Sequence, residues 1–183
     1  MQGDYEAHGR MLGRLGVEHV EVKRPAEVEG CAGVILPGGE STTQLKFLQE
    51  EGLQEALLQL AREGGAFFGT CAGVILLARE VRNPAQESLG LLDAAVIRNA
   101  YGRQLASDVF WNTTKLKAEA MEMVFIRAPI LERIGDGVEI LGEHAGRPVL
   151  VRQGRVLAGT FHPELTADTT VHEFFLNMVR NGD

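Results

Sequence analysis

Three short stretches of the 183-residue chain carry residues able to do chemistry. The first is Gly69-Thr70-Cys71-Ala72-Gly73, lying between a buried-strand pattern and a helix pattern. A nucleophile flanked by small residues at such a junction has the nucleophile-elbow form. The glycines permit a turn too tight for side chains and leave the thiol exposed at the carboxyl end of a sheet. A helix N-terminus there favours the thiolate, and the Ala72 N–H points at a developing oxyanion. The second stretch is Phe161-His162-Pro163-Glu164. Residues two apart in extended chain project to one side, so the Glu164 carboxylate can orient the His162 imidazole. The third is Pro37-Gly38-Gly39-Glu40-Ser41, whose glycines let backbone amides approach a ligand, with Gly39 as a second oxyanion donor. Each has a plainer alternative: a small buried cysteine in a turn, an incidental His and Glu, or a tight strand-to-helix connection.

The elements that must position these residues alternate strand and helix, the mark of an α/β sheet. Helical spacing predicts a helix over residues 4–15, with Tyr5, His8, Leu12 and Leu15 on one face. Residues 17–22 alternate as a half-buried strand does, and residues 32–36 form a short apolar strand. Ser41 with Gln44 predicts a capping box opening a helix to about residue 48. Leu53 to Ala61 repeat at helical spacing, with Gly64 as the cap. Residues 66–68 read as a strand and 74–80 as a helix. Strands are expected over 94–97, 116–118 and 123–126, then a meander over 138–141, 149–152 and 156–161. Thr170 with Glu173 predicts a capping box for a last helix over 171–180. The three chemical stretches all follow strands, and in open α/β sheets ligands bind at that edge.

Composition narrows the function. The chain is 45% hydrophobic with a net charge of −7, which suits one globular domain over residues 1–183 and argues against nucleic-acid binding. Two cysteines, Cys31 and Cys71, without metal-ligand spacing argue against a disulfide framework or a metal site. Cys31 is expected in the core, and His8, His19, His144 and His172 on the surface or on helix faces. No stretch is long enough to span a membrane and the N-terminus lacks a signal-peptide pattern, which together suggest a soluble cytoplasmic protein. Trp111 lies in a segment, residues 108–122, that matches no motif and receives no role.

The elbow, the later His-Pro-Glu and the upstream Pro-Gly-Gly together resemble class I glutamine amidotransferases. Pro37-Gly38-Gly39-Glu40-Ser41-Thr42-Thr43, Arg98-Asn99-x-x-Gly102-Arg103-Gln104, Phe125-Ile126-Arg127-Ala128-Pro129 and Phe161-His162-Pro163-Glu164-Leu165-Thr166 narrow the resemblance to the glutaminase subunit of pyridoxal 5′-phosphate synthase. The match runs from Gln2 to the last helix. It implies a three-layer, mostly parallel sheet flanked by helices, of flavodoxin-like form. It implies Cys71 as nucleophile, His162 as proton carrier and Glu164 as its orienter, with Gly39 and Ala72 at the oxyanion. It implies that Gly39, Glu40, Ser41, Arg98, Ile126 and Arg127 bind L-glutamine, without cofactor. The implied partner is a (β/α)8-barrel synthase subunit, in heterodimers gathered into a dodecameric ring. A glutaminase of another pathway and a non-catalytic regulatory homologue are the competing readings. The subfamily motifs argue against the first and the intact triad against the second.

The family begins with a short apolar strand before a Leu-Gln-Gly, and Met1 stands at the position of that Leu. The expectation is therefore a protein longer by roughly ten residues, one strand and a start.

Overall fold

The computed structural model describes residues 4–98 and 107–182. Gln2, where the family match begins, and residues 99–104 of the Arg-Asn-x-x-Gly-Arg-Gln motif lie outside them.

Helix α1 (Tyr5–Arg14) buries Ala7, His8 and Met11, while Tyr5, Leu12 and Leu15 stay partly exposed. Residues 17–22 form no strand among the described residues. Alternation decides which faces can be buried, but a strand also needs a neighbour to complete its ladder. Residues 17–22 instead line a groove of about 1290 Å³, whose other wall includes strand β1 (Gly33–Leu36).

Helix α2 (Ser41–Glu50) is capped by Glu40, whose carboxylate accepts from the Thr42 and Thr43 amides. The expected Ser41–Gln44 capping box is absent, because the Gln44 side chain turns inward and donates to the carbonyls of Pro37 and Gly38. Helix α3 (Leu53–Arg62) ends as expected. Gly64 adopts a φ of 87°, its N–H bonds the Ala61 carbonyl and that of Gly65 bonds Leu60, the paired pattern of a Schellman cap.

Strand β2 (Ala66–Thr70) is buried throughout and feeds helix α4 (Ala72–Leu77). That helix stops before the expected residue 80, because Ala78–Arg82 forms strand β3 against β4 (Leu92–Ile97). Residues 107–126 form a long hairpin, β5 (Ser107–Thr114) with β6 (Lys117–Ile126). The two short strands expected over 116–118 and 123–126 are thus one. Strand β7 (Ile130–Ile134) follows, and the expected meander is β8 (Glu139–His144), β9 (Arg147–Gln153) and β10 (Val156–Gly159). Helix α5 (Thr170–Asn181) closes the chain. Its capping residues differ from expectation, because Asp168 binds the Thr170 amide and hydroxyl while Thr169 donates to Glu173.

The main sheet runs β1-β2-β10-β9-β8-β5-β6, and a small sheet runs β3-β4-β7. In the main sheet the parallel arrangement is confined to β1, β2 and β10, and pairing beyond β10 is antiparallel. Successive side chains of β2 serve opposite faces. Phe67 packs with Leu45, Leu57 and Val74 on the side of α2 to α4, while Phe68 packs with Val171 and Phe175 of α5. Truncating either Phe to Ala would cost about 3–5 kcal/mol. Among the described residues no helix is long and apolar enough to cross a membrane.

The topology brings the chemical stretches together. Strands β1, β2 and β10 are parallel neighbours, so their carboxyl ends share one edge. Pro37-Gly38, Cys71 and the segment leading to His162 leave from that edge side by side, and the Cys71 amide bonds the Gly159 carbonyl at 2.9 Å.

Candidate active site

Cys71 sits between β2 and α4 with φ 47° and ψ −102°, a conformation few non-glycine residues adopt. The strain is held by close packing around the two glycines of the elbow. A Cβ on Gly73 would strike the Leu36 carbonyl oxygen, and one on Gly69 would come within 2.6 Å of Leu77. The Cys71 side chain is buried, with Sγ 3.7 Å from the Ile126 carbonyl oxygen.

His162 stands at the head of a 3₁₀ turn (Pro163–Leu165), its amide bonded to the Val124 carbonyl at 2.8 Å. Its Nδ1 lies 2.9 Å from Glu164 Oε1 and 3.2 Å from Asp4 Oδ2. Gly38 must be glycine for this ring to fit, since a Cβ there would collide with His162 Cε1. Nδ1 bonds the carboxylate, and no hydrogen bond is formed by the buried Nε2. Burial opposes charge on this imidazole, but Cys71 and Glu164 beside it outweigh burial and raise its pKa to about 10. Burial likewise opposes charge on Glu164, yet hydrogen bonds from His162 and His8 hold its pKa at about 2. The arrangement therefore favours an ionised carboxylate paired with a charged imidazole, facing a sulfur. That combination can deliver a thiolate and return a proton to a leaving group.

The remaining expected residues differ in burial and in partners. Glu40 caps α2, and its pKa sits at about 2, burial being outweighed by hydrogen bonds from Thr43 and Thr42. Arg98 Nη2 reaches Thr42 Oγ1 at 2.8 Å and Glu40 Oε1 at 3.5 Å. Ser41 is buried and its hydroxyl donates to Gln86 at 3.1 Å. Gly39 is exposed with φ 137°, and Arg127 is exposed with φ 44°. Ile126 is partly open, and its backbone carbonyl rather than its side chain meets Cys71. Ala72 is buried directly after the nucleophile, at the first position of α4. The structure thus gathers Cys71, His162, Glu164 and Ile126 in one cluster and Glu40, Thr42 and Arg98 in another, with the Pro37–Ser41 loop touching both.

Several neighbours lie outside the sequence reading. His8 and His172, expected on the surface or on helix faces, lie on the buried faces of α1 and α5, and Thr70 is buried too. Asp4 also reaches His162. One signal for His8 was present, since it shares the apolar face of α1. His19 is exposed, and His144 packs against Phe110 and bonds Asn112. Cys31 is partly exposed rather than in the core, its thiol near the Glu27 carbonyl at 3.3 Å. Trp111 is 67% exposed on β5. Asp4, His162 and Glu164 offer ligand atoms within 4.8 Å of one another, the one grouping among the described residues able to hold a metal ion. The 2.9 Å separation of Nδ1 and Oε1 is that of a shared proton, so the grouping reads as a hydrogen-bonded pair with Asp4 at its side.

A model of the SNO glutamine amidotransferase family matches residues 1–181 of the chain. A protein of Koribacter versatilis (strain Ellin345) named pyridoxal 5′-phosphate synthase subunit PdxT is 52% identical over 183 residues, covering 100% of this chain and 94% of the relative. A protein of the same name from Thermus thermophilus is 50% identical, covering 97% of this chain and 94% of its own length. A crystal structure of a glutamine amidotransferase superposes with a TM-score of 0.92 at 46% identity, over 97% of this chain and 95% of that one.

Proposed function

The chain belongs to the SNO glutamine amidotransferase family, and from that premise we propose that it is the glutaminase subunit of a pyridoxal 5′-phosphate synthase, releasing ammonia from L-glutamine at Cys71. Two observations support it: relatives about 50% identical carry that subunit's name, and Cys71 lies beside the hydrogen-bonded His162–Glu164 pair. The observation that carries the chemistry is the buried Cys71, held in a strained turn beside the His162–Glu164 pair.

The cysteine thiolate attacks the side-chain amide carbon of glutamine. The carbonyl oxygen becomes an oxyanion, met by the backbone N–H groups of Ala72 and Gly39. His162 gives a proton to the amide nitrogen, the C–N bond breaks, and ammonia leaves a glutamyl thioester. His162 then takes a proton from water as it attacks the thioester, and glutamate leaves as the thiolate re-forms. Glu164 keeps the imidazole aligned and stabilises its charged form. Arg98 and Arg127 suit the α-carboxylate of glutamine, which a guanidinium can bind through two hydrogen bonds. Glu40, Ser41 and Ile126 complete the pocket wall. The positive φ of Gly39 supports its assignment, since glycine tolerates the backbone turn needed to aim an amide inward.

The partner in this reading is a synthase subunit built as a (β/α)8 barrel, in a dodecameric ring of heterodimers. It takes ammonia through a protected path, with a pentose phosphate and a triose phosphate, to form the cofactor. A cytoplasmic location accords with that pathway. The test mixes the purified chain with a synthase subunit and measures glutamate release and glutamine-dependent pyridoxal 5′-phosphate formation. Both are expected, and both vanish in Cys71→Ala. A folded, assembled pair that releases no glutamate overturns the reading.

A further inference from the structure

Behind the Glu164 carboxylate lies a chain of buried polar side chains drawn from three separate elements. His172 of α5 and His8 of α1 are in contact, Nε2 to Nδ1, at 2.9 Å. His8 Nε2 lies 3.1 Å from Thr70 Oγ1 and 3.4 Å from Glu164 Oε1. Thr70 Oγ1 in turn lies 3.3 Å from the same Oε1. The exposures of His172, Thr70 and His8 are 0%, 0% and 3%, and the edge of Phe68 packs against both imidazoles. Thr70 immediately precedes Cys71, so the chain touches nucleophile and orienter from behind.

Hydrogen positions follow from what is left over. His172 Nδ1 is buried without a partner. A bare ring nitrogen there is cheaper than an N–H denied an acceptor. His172 therefore carries its hydrogen on Nε2 and donates it to His8 Nδ1. Its neutrality fits a pKa held at about 3, by burial first and by His8 second. His8 then carries its hydrogen on Nε2, toward Thr70 and Glu164. The Thr70 hydroxyl donates to Glu164 while accepting from His8. Every hydrogen in the chain points toward one carboxylate oxygen, the one that also receives His162 Nδ1.

We propose that His8 is a positioning residue for the glutaminase reaction, which, supported by His172 and acting with Thr70, fixes the Glu164 carboxylate and through it the His162 ring. The proposal rests on the triad reading above. Without a donor at His8, the carboxylate keeps only Thr70 and His162 on that oxygen and can swing. A misplacement of about 1 Å can cost roughly a hundredfold in rate.

The test uses the assembled pair and two substitutions at one position. His8→Phe fills the space with no donor, whereas His8→Gln can place an amide N–H where Nε2 stands. His8→Phe is expected to lower kcat roughly a hundredfold with KM unchanged. His8→Gln is expected to restore most of it. The accompanying readout is the downfield proton NMR resonance of the His162 Nδ1–H, expected to shift or broaden in His8→Phe and to return in His8→Gln. Thr70→Val, close in shape and lacking the hydroxyl, should move the same resonance and serves if His8→Phe fails to fold. The proposal is overturned if folded His8→Phe, or folded Thr70→Val, keeps both kcat and the resonance of the parent. It is also overturned if Phe and Gln at His8 impair activity equally, as a purely structural role requires. A parent chain that shows the resonance but never hydrolyses glutamine would sink the glutaminase reading and leave the relay intact.

Discussion

The two polar clusters that adjoin the Pro37–Ser41 loop are built on different terms. Around Cys71, His162 and Glu164 the neighbours are buried, Thr70, His8 and His172 being 0–3% exposed. Contacts join His172, His8, Thr70 and His162 to Glu164 Oε1, while His162 Nε2, Glu164 Oε2 and His172 Nδ1 stay unpaired. In the second cluster, Glu40, Thr42 and Arg98 bond each other in partial contact with solvent, the Glu40 side chain being 60% exposed. Burial makes the first side rigid, since a polar group without water must keep its protein partner. On the solvent side, water can replace a lost partner, so the same loss costs less. The proposed chemistry therefore depends on the buried cluster, while Glu40, Thr42 and Arg98 can exchange their hydrogen bonds for those of a ligand.

The largest effect that would sharpen this contrast falls on the nucleophile. Cys71→Ala should abolish glutamate release by about a thousandfold or more, with the melting temperature nearly unchanged. Cys71→Gly should be equally inactive yet more stable than the alanine variant by about 1–3 kcal/mol, because glycine relieves the positive φ. Equal denaturant midpoints for the two would show that the turn is not strained.

Next in size is the orienter. Glu164→Gln preserves shape but removes the charge, and should lower kcat by about 10²- to 10⁴-fold without raising KM. The glycine that admits the imidazole gives a structural counterpart. Gly38→Ala forces His162 aside, and should lower stability by about 1–3 kcal/mol along with activity, read by thermal unfolding and glutamate release.

The rim should answer differently. Arg98→Ala is expected to raise KM for glutamine about tenfold, with kcat within a few-fold, because it removes binding shared by ground and transition states. A fall in kcat matching Glu164→Gln would break the distinction between the two sides.

The pH dependence of stability tests the buried pair itself. His162 has a pKa raised from 6.5 to about 10, so its contribution is complete below pH 6.5 and is lost as pH rises through 10. Glu164 has one lowered from 4.5 to about 2, so its contribution is complete above pH 4.5 and is lost as pH falls through 2. The stability advantage of the parent over a His162→Gln, Glu164→Gln double variant should be flat between pH 4.5 and 6.5. It should shrink on either side, as followed by melting temperature. An advantage that grows as the solution is made alkaline would contradict the paired state.

Much of this was legible from residues close in sequence. The elbow needs only a strand, a turn and a helix in succession, and Gly69 and Gly73 announce it. His162 and Glu164 are two residues apart, so their pairing is a local matter of backbone direction. The Gly64 cap is local in the same way. Where a feature depended on a distant neighbour the reading faltered. Residues 17–22 alternate as a strand does but meet no strand partner among the described residues. Residues 78–80 read as the tail of a helix, yet β4 draws Ala78–Arg82 into a sheet. Gln44 has the spacing of a capping partner, but the Pro37 and Gly38 carbonyls claim its side chain.

By itself, then, the sequence singled out Cys71, His162 and Glu164 as the proposed nucleophile, base and orienter, because each rests on spacing of a few residues that fixes direction along the backbone. Only the tertiary structure decided that the three strand ends adjoin, through the parallel order β1-β2-β10. It alone decided that His8 and His172, 164 residues apart, meet beneath Glu164. Spacing along the chain put His8 on the apolar face of α1 but gave no sign that His172 would meet it. Burial gives them a role, by removing the water that would otherwise satisfy them and leaving His172 only His8, and His8 only His172, Thr70 and the carboxylate, as partners.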